Sequence, residues 1–331
     1  MNDQNAGADH IKVKDLRAGD TVEQYFQLRA KSLRKTRSGA EYLDLVLGDA
    51  SGAISGKVWA EAMRKWGQDF EPGDFVKVVA RVETFRDVSQ LVVEKIRRAQ
   101  ESEATDLSRL VRTSSRDPGE LFMELKLLAS QLNSPDLADL VQEILDSNED
   151  AFRTSPAARM IHHAYKGGLV EHTLSLTRKV EAVLPLVEKV NRDLAIAGAI
   201  LHDIGKIREL DPSGRGRTPE GKLIGHLILG VALVREAAMK KGLESRPWLK
   251  ELEHILVSHH GESVFGSPVR PLTREALVVH FMDNLDSKLK IMEEALESVD
   301  PDGFSAYNKW LEGRAYAGSQ SFQEEEDDAR T

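Results

Sequence analysis

The chain contains the segment Leu194-Ala195-Ile196-Ala197-Gly198-Ala199-Ile200-Leu201-His202-Asp203. Its first eight residues carry no polar side chain. This pattern predicts a central helix that is buried on every face, with small residues that allow close packing. At the end of such a helix, the short side chains of His202 and Asp203 can close on one ion. They are therefore the first candidates for a functional site.

Histidines are concentrated around this segment. Nine of the ten lie between His162 and His280, and the chain has no cysteine. The lack of cysteine excludes disulfides, thiolate zinc sites, iron–sulfur clusters and cysteine nucleophiles. A metal site built from histidine and aspartate is therefore the leading hypothesis for this region.

Two more side chains extend the pattern on either side. His172 precedes the His202-Asp203 pair, and Asp283 follows it within His280-Phe281-Met282-Asp283. The ordered series resembles the HD phosphohydrolase superfamily, an all-α fold. The resemblance implies that these four side chains share one divalent metal ion.

A second ion is implied by three further histidines, His226, His259 and His260. In HD proteins with two metals, such histidines hold the second ion and the motif aspartate, here Asp203, bridges both. Two neighbouring cations suit phosphate esters because together they activate water and hold the entering and leaving oxygens. Imidazoles and carboxylates favour Mn²⁺ over Ca²⁺, and Fe²⁺ or Co²⁺ fit the same ligands.

Lys206 lies one helical turn beyond the His-Asp pair and is, with Asp203, a catalytic candidate. It could reach a substrate phosphate. The alternative is a lysine favoured by the negative end of the helix dipole. For Asp286, a supporting contact to the site and a surface carboxylate are equally consistent with the sequence.

The N-terminal third predicts a β-barrel. Five segments are typical of strands, at about residues 22–30, 42–47, 54–59, 74–85 and 91–96. A short helix, Ala60 to Trp66, is predicted between the third and fourth. Five strands with one helix after the third are the order of an OB-fold.

Charge and aromatic residues suggest what this barrel binds. The net charge of −9 argues against nucleic acid, but residues 1–100 carry 17 Lys and Arg against 15 Asp and Glu. Cations interleaved with aromatic rings favour single strands, with stacking of about 1–3 kcal/mol per base. The candidates are Lys31, Arg34, Lys35, Arg37, Tyr42, Lys57, Trp59 and Arg86. A solvated basic turn, with Trp59 packed under the short helix, is the alternative.

The fold class expected is α+β multidomain, an OB-fold barrel followed by an all-α HD domain. We expect a flexible N-terminus (1–14), the OB-fold (15–98), a linker (99–116), a helical connecting region (117–155), the HD domain (156–303) and a C-terminal tail with an acidic end (304–331). Helices are predicted near 117–132, 135–152, 169–184, 193–206, 220–241, 247–260 and 271–297. No apolar run approaches a membrane span and the N-terminus has no signal-peptide core, so we expect a cytoplasmic protein without a membrane partner.

This domain order resembles the bacterial 3′–5′ exoribonucleases of the YhaM type, over residues 15 to about 323. The resemblance rests on the stretches 34–39, 201–206, 220–226, 258–261 and 283–288. It implies metal-dependent trimming of single-stranded RNA from the 3′ end to nucleoside 5′-monophosphates, with single-stranded DNA as a second substrate. Self-association into a homo-oligomer is left open.

Two other functions are compatible with the motifs. One is an HD hydrolase of nucleotides or cyclic dinucleotides, against which the separate barrel argues. The other is a nucleic-acid-binding module with an inert HD scaffold, against which the full set of ligands argues.

Overall fold

The computed structural model describes residues 10–36, 38–85, 88–100, 103, 110, 114, 116–158, 165–211, 216–296, 299, 302–305 and 307–318. Their apolar side chains form two cores, one inside a barrel and one among helices. Within these ranges, no helix is long and apolar enough to cross a membrane.

The barrel consists of five strands and one helix. The strands are β1 (Thr21–Lys35), β2 (Glu41–Asp49), β3 (Gly52–Val58), β4 (Phe75–Phe85) and β5 (Val88–Arg98), and α1 (Ala60–Trp66) lies between β3 and β4. The sheet closes in the order β1-β2-β3-β5-β4, with β3 and β5 parallel and the other pairs antiparallel. The predicted OB-fold is confirmed.

Alternation along β2 sets the inside and outside of the barrel. Leu43, Leu45 and Leu47 are buried in the core, whereas Tyr42, which precedes them, and Asp44, which lies between the first two, point to the outer face. The strands extend beyond their apolar segments because the flanking polar residues continue the backbone pairing between strands.

The segment before β1 lies against the barrel. The carboxylate of Asp49, 2% exposed, contacts His10 Nε2 at 2.8 Å and accepts the backbone N–H of Val13 at 2.9 Å. Burial raises the pKa of Asp49, but these hydrogen bonds and those from Ser51 hold it well below its ordinary value. Residues 10–14 were expected within a flexible N-terminus, and these contacts fix them. Residues 1–9 lie outside the described part.

The described residues after the barrel include ten α-helices, most of which contribute side chains to the second core. They are α2 (Pro118–Ser130), α3 (Pro135–Ser147), α4 (Glu149–Thr154), α5 (Gly168–Val183), α6 (Arg192–Leu201), α7 (Lys206–Glu209), α8 (Pro219–Leu223), α9 (His226–Lys241), α10 (Pro247–Ser258) and α11 (Arg274–Leu296). The predicted central helix is α6, whose residues from Asp193 to Leu201 are all buried.

Three helices predicted as continuous are each divided in two. The predicted helix 135–152 breaks at Asn148, whose side-chain amide donates to the carbonyl of Ile144 at 2.7 Å. The predicted helix 220–241 breaks at Gly225, which has a φ of 80°, a conformation that favours glycine. The predicted helix 193–206 ends at Leu201, and a turn separates it from α7. Two of the three breaks place a predicted ligand at a helix end, since His202 follows α6 and His226 begins α9.

Candidate metal centre and nucleic-acid interface

The seven predicted metal ligands come from five places in the helical core. Three of these are helix ends: His202 and Asp203 follow α6, His226 begins α9, and His259 and His260 follow α10. The other two lie within helices, His172 in the second turn of α5 and Asp283 near the middle of α11. The structure brings all seven together.

Gly205 allows the turn after Asp203 to approach α9. A Cβ atom at this position would lie 2.0 Å from the carbonyl oxygen of His226 and 2.5 Å from the backbone nitrogen of Gly230. Only glycine fits such a close backbone approach without a shift. The glycine therefore places Asp203 beside His226.

Asp203 is the centre of the cluster, and its two oxygens face different groups. Its Oδ2 atom lies 3.2 Å from His202 Nε2 and 3.6 Å from His172 Nε2. Its Oδ1 atom lies 3.5 Å from His226 Nε2 and 3.6 Å from His259 Nε2. The carboxylate is 2% exposed.

Three overlapping groups of ligand atoms result among the described residues, and one of them, His202, His259 and Asp283, draws on both of the positions defined next. The first position comprises His172, His202, Asp203 and Asp283, with Asp283 Oδ1 3.2 Å from His172 Nε2 and 4.0 Å from His202 Nε2. The second position comprises Asp203, His226, His259 and His260, whose ligand atoms all lie within 4.8 Å of one another.

These residues fit a bound cation on their own chemistry. Asp203 Oδ1, His226 Nε2 and His259 Nε2 are buried and have no hydrogen-bond partner among the described residues. A buried polar atom without a partner costs about 1–3 kcal/mol. One carboxylate oxygen and two imidazole nitrogens that converge without hydrogen bonds are what a divalent cation would satisfy.

The orientation of the five rings supports the same conclusion, because each ring is held by its Nδ1 atom. Asp286 Oδ2 contacts His172 Nδ1 at 2.7 Å, and Glu209 Oε2 contacts His226 Nδ1 at 3.0 Å. The remaining three rings each have a backbone carbonyl 2.8 Å from Nδ1, from Ala199 for His202, Leu256 for His259 and Phe265 for His260. With Nδ1–H donated outward, the Nε2 atom of each ring faces the centre and can offer its lone pair there when the ring is neutral.

Burial and charge set the protonation of the cluster. Burial lowers the pKa of His202, and it lowers the pKa of His260 to about 3, which keeps both rings neutral. Burial also opposes charge on His172, but hydrogen bonds to Asp283 and Asp286 raise its pKa to about 10. Burial raises the pKa of Asp203, yet Lys206 and the histidines hold it well below its ordinary value.

Lys206 begins α7 and contacts the cluster directly. Its Nζ atom lies 2.5 Å from Asp203 Oδ2, and its side chain is 13% exposed. The ammonium therefore lies at the first position, on the oxygen that also faces His172 and His202.

Two carboxylates that hold the rings were not among the predicted site residues. Asp286, for which two roles were open, is buried and contacts His172. Asp286 follows Asp283 by three residues, on the same helix face, and this spacing could have indicated its position beside the site. Glu209 is also buried, and no sequence pattern indicated its contact with His226.

Four predicted nucleic-acid residues lie together on the outer face of the barrel. Arg34 is paired with Tyr42 across β1 and β2, and the rings of Tyr42 and Trp59 have centroids 5.0 Å apart. Lys57 Nζ lies 5.8 Å from the centroid of the Tyr42 ring. Trp59 is 42% exposed, which leaves part of its ring open to a ligand.

An acidic residue lies among these cations. Asp44 accepts from Lys57 Nζ at 2.5 Å and contacts Arg34 Nε at 2.9 Å. The guanidinium side chain of Arg34 remains 60% exposed. The face therefore offers two aromatic rings and two cations that one carboxylate holds in place.

The other predicted interface residues lie elsewhere or outside the described part. Lys31 Nζ donates to the carbonyls of Gln68 and Phe70 and to Glu71, so it fixes the segment before β4. Lys35 is exposed and lies 3.7 Å from Glu41. Arg37 and Arg86 lie outside the described residues.

Comparison with protein families finds one match for the helical domain and one for the barrel. Residues 169–288 match the HD domain, and residues 27–99 match a family described as OB-fold nucleic acid binding domain. The HD match includes all seven clustered ligands, and the OB-fold match includes the exposed face with Tyr42 and Trp59.

Similarity to curated proteins extends over most of the chain. It is 32% identical to the 3′-5′ exoribonuclease YhaM of Bacillus subtilis, over 90% of this chain and 95% of that protein. It is 31% identical to the protein of the same name from a Geobacillus species, over 90% of this chain and 92% of that protein. The relative of the same name from Halalkalibacterium halodurans is 30% identical, over 90% of this chain and 93% of that protein. The chain therefore belongs to the YhaM family of 3′-5′ exoribonucleases.

Proposed function

We propose that this chain is a metal-dependent exoribonuclease that removes nucleotides from the 3′ end of single-stranded RNA and releases nucleoside 5′-monophosphates. The observation that carries the proposal is the bridging geometry of Asp203, whose two oxygens face separate groups of imidazoles. The 3′–5′ direction and the RNA substrate come from the names of the relatives.

Two divalent cations per site are part of this proposal. The first would be held by His172, His202, Asp203 and Asp283, and the second by Asp203, His226, His259 and His260. Mn²⁺ is the expected ion because imidazoles and carboxylates suit borderline cations, and Fe²⁺ or Co²⁺ fit the same ligands. Cations held there would polarise the scissile phosphate and make water a stronger nucleophile.

The chain's own residues supply positioning and charge. Asp203 keeps both oxygens available because its pKa lies well below neutral pH. The ammonium of Lys206 lies at the edge of the first position, where it can meet a non-bridging oxygen of the scissile phosphate as negative charge grows there. The buried rings and carboxylates also keep bulk water from the ligand atoms.

The barrel would hold the strand. Tyr42 and Trp59 offer ring faces on which bases can stack, and Arg34 and Lys57 offer charge to the backbone. Because stacking does not distinguish ribose from deoxyribose, single-stranded DNA is expected to bind as well.

A product analysis tests the proposal. RNA whose 3′-terminal nucleotide carries an isotopic label is incubated with the protein and Mn²⁺, and the first labelled product is identified by mass spectrometry. The proposal expects a nucleoside 5′-monophosphate, with single-stranded DNA cut in the same way. Release of a 3′-phosphorylated nucleotide would contradict it. Rapid hydrolysis of free nucleotides or cyclic dinucleotides with RNA left intact would favour the alternative HD hydrolase.

A further inference from the structure

Each proposed cation position contains one imidazole that is held by a carboxylate. At the first position, Asp286 Oδ2 contacts His172 Nδ1 at 2.7 Å. At the second, Glu209 Oε2 contacts His226 Nδ1 at 3.0 Å. The other three rings are held by backbone carbonyls. Each position thus has one outer contact that a single side chain controls.

A carboxylate does more to an imidazole than a carbonyl does. Its negative charge strengthens the hydrogen bond to Nδ1–H and increases electron density at Nε2, so the ring becomes a better ligand. It also fixes the tautomer and the direction of the ring. Asp286 and Glu209 are each 4% exposed, which keeps water from weakening these contacts.

Both carboxylates are themselves held by positively charged side chains that reach toward the surface. Asp286 Oδ1 accepts from Lys179 Nζ at 2.6 Å and from Ser175 Oγ at 2.5 Å. Glu209 Oε1 lies 3.1 Å from Arg217 Nε. The side chains of Lys179 and Arg217 are 30% and 46% exposed. In each case one carboxylate oxygen faces the imidazole and the other faces the lysine or arginine side chain. The same arrangement is therefore present at both positions.

We propose that Asp286 and Glu209 are positioning residues that set the cation affinity of the two positions separately, Asp286 through His172 and Glu209 through His226. This inference rests on the two-cation site of the proposed function. It adds that the two positions can be weakened one at a time without removing any ligand.

Mn²⁺ binding to the full chain, without RNA, tests the proposal. The variants are Asp286→Asn and Glu209→Gln, each made alone and combined with His172→Ala or His226→Ala. Asp286→Asn alone should weaken Mn²⁺ binding at one of two sites by about 10–100-fold, once the affinity is corrected for the protons released at the pH of the titration. In a chain that already carries His172→Ala, Asp286→Asn should weaken Mn²⁺ binding by no more than about a further 2-fold. In a chain that carries His226→Ala, it should still weaken Mn²⁺ binding by the full amount. Glu209→Gln should weaken Mn²⁺ binding by the full amount with His172→Ala, and by no more than about 2-fold with His226→Ala.

Controls and a second readout separate positioning from folding. Glu124→Gln and Glu236→Gln remove carboxylates that pair only with arginine in the contacts described, and they should leave Mn²⁺ affinity unchanged. The electron paramagnetic resonance spectrum of bound Mn²⁺ should change from a coupled pair to a single ion in Asp286→Asn and in Glu209→Gln.

The two proposals can fail separately. An equal loss of affinity for Asp286→Asn in both histidine backgrounds would overturn the positioning role, as would unchanged affinity in Asp286→Asn and Glu209→Gln. If Asp286→Asn does not fold, Glu209→Gln tests the same rule at the other position. Two-site Mn²⁺ binding with this coupling pattern, in a protein that fails to degrade RNA, would support the positioning role and overturn only the nuclease proposal.

Discussion

The Oδ1 atom of Asp203 and the Nε2 atom of His226 lie 3.5 Å apart, and neither has a hydrogen-bond partner among the described residues. The other oxygen of Asp203 lies 3.2 Å from His202 Nε2. In an ordinary buried ion pair, each polar atom has a partner. A carboxylate placed between two groups of imidazoles would instead serve as the shared ligand of the two cations in the proposed function.

Cation binding should depend on pH through His172. Without a cation its pKa is raised to about 10, because Asp283 and Asp286 stabilise the charged ring more than burial opposes it. At neutral pH a cation must therefore displace a proton from this ring. Mn²⁺ affinity should rise by up to about tenfold per pH unit between pH 7 and 9. Calorimetry in buffers of different ionisation enthalpy should detect the released proton, and Mn²⁺ binding without proton release would contradict this prediction.

Lys206→Ala should separate a catalytic role from a structural one. If the ammonium meets the scissile phosphate, kcat should fall by roughly 10²-fold, about 2.7 kcal/mol, with cation content and RNA affinity retained. The nearby variant Arg208→Ala, which removes a surface pair with Glu236, is the control. A wild-type single-turnover rate in Lys206→Ala, with only a lower melting temperature, would leave the lysine a structural residue.

Trp59→Ala should weaken RNA binding through loss of one stacking face. The expected cost is about 1–3 kcal/mol in binding free energy, measured as a higher Kd by titration at fixed salt. Trp310→Ala is a matched control, because the two tryptophans are 42% and 44% exposed and Trp310 lies outside the barrel. Equal losses for both variants would show that the barrel face is not the specific binding surface.

Asp44→Asn should strengthen RNA binding. Asp44 neutralises Lys57 and Arg34, so removing its charge makes both cations available to phosphates. Each further phosphate that these cations neutralise on a single strand should steepen the salt dependence of log K by about 0.7. Titrations across a salt series measure this slope. A weaker affinity in Asp44→Asn with an unchanged slope would mean that the carboxylate positions the face rather than masks its charge.

The sequence predicted which histidines and aspartates lie close together better than it predicted the bounds of the helices around them. His202-Asp203, His172 and Asp283 were recognisable because their order is a motif, and the apolar segment before them could only be buried. The break at Gly225 was not predicted, since a glycine within a helical pattern is often tolerated. The position of Lys31 could not be predicted either, because its three acceptors, Gln68, Phe70 and Glu71, become neighbours only when the barrel closes.

Glu209 shows where motif reasoning ends. It lies 17 residues before His226, and its contact depends on α8 packing against its backbone. A Cβ atom at Gly221 would lie 2.3 Å from the carbonyl oxygen of Glu209, so this packing requires glycine. Such an arrangement follows from tertiary structure, and neither charge nor spacing in the sequence predicts it.

Time courses with 5′-labelled single-stranded RNA test the central claim most directly. The wild-type chain with Mn²⁺ should produce a ladder of labelled products that shorten from the 3′ end, and a chelator should stop the reaction. Asp203→Asn should lower the rate by at least about 10³-fold, about 4 kcal/mol, lose bound Mn²⁺ and still bind RNA through the barrel. Near-normal turnover in Asp203→Asn, or early release of the labelled 5′ nucleotide, would contradict the account.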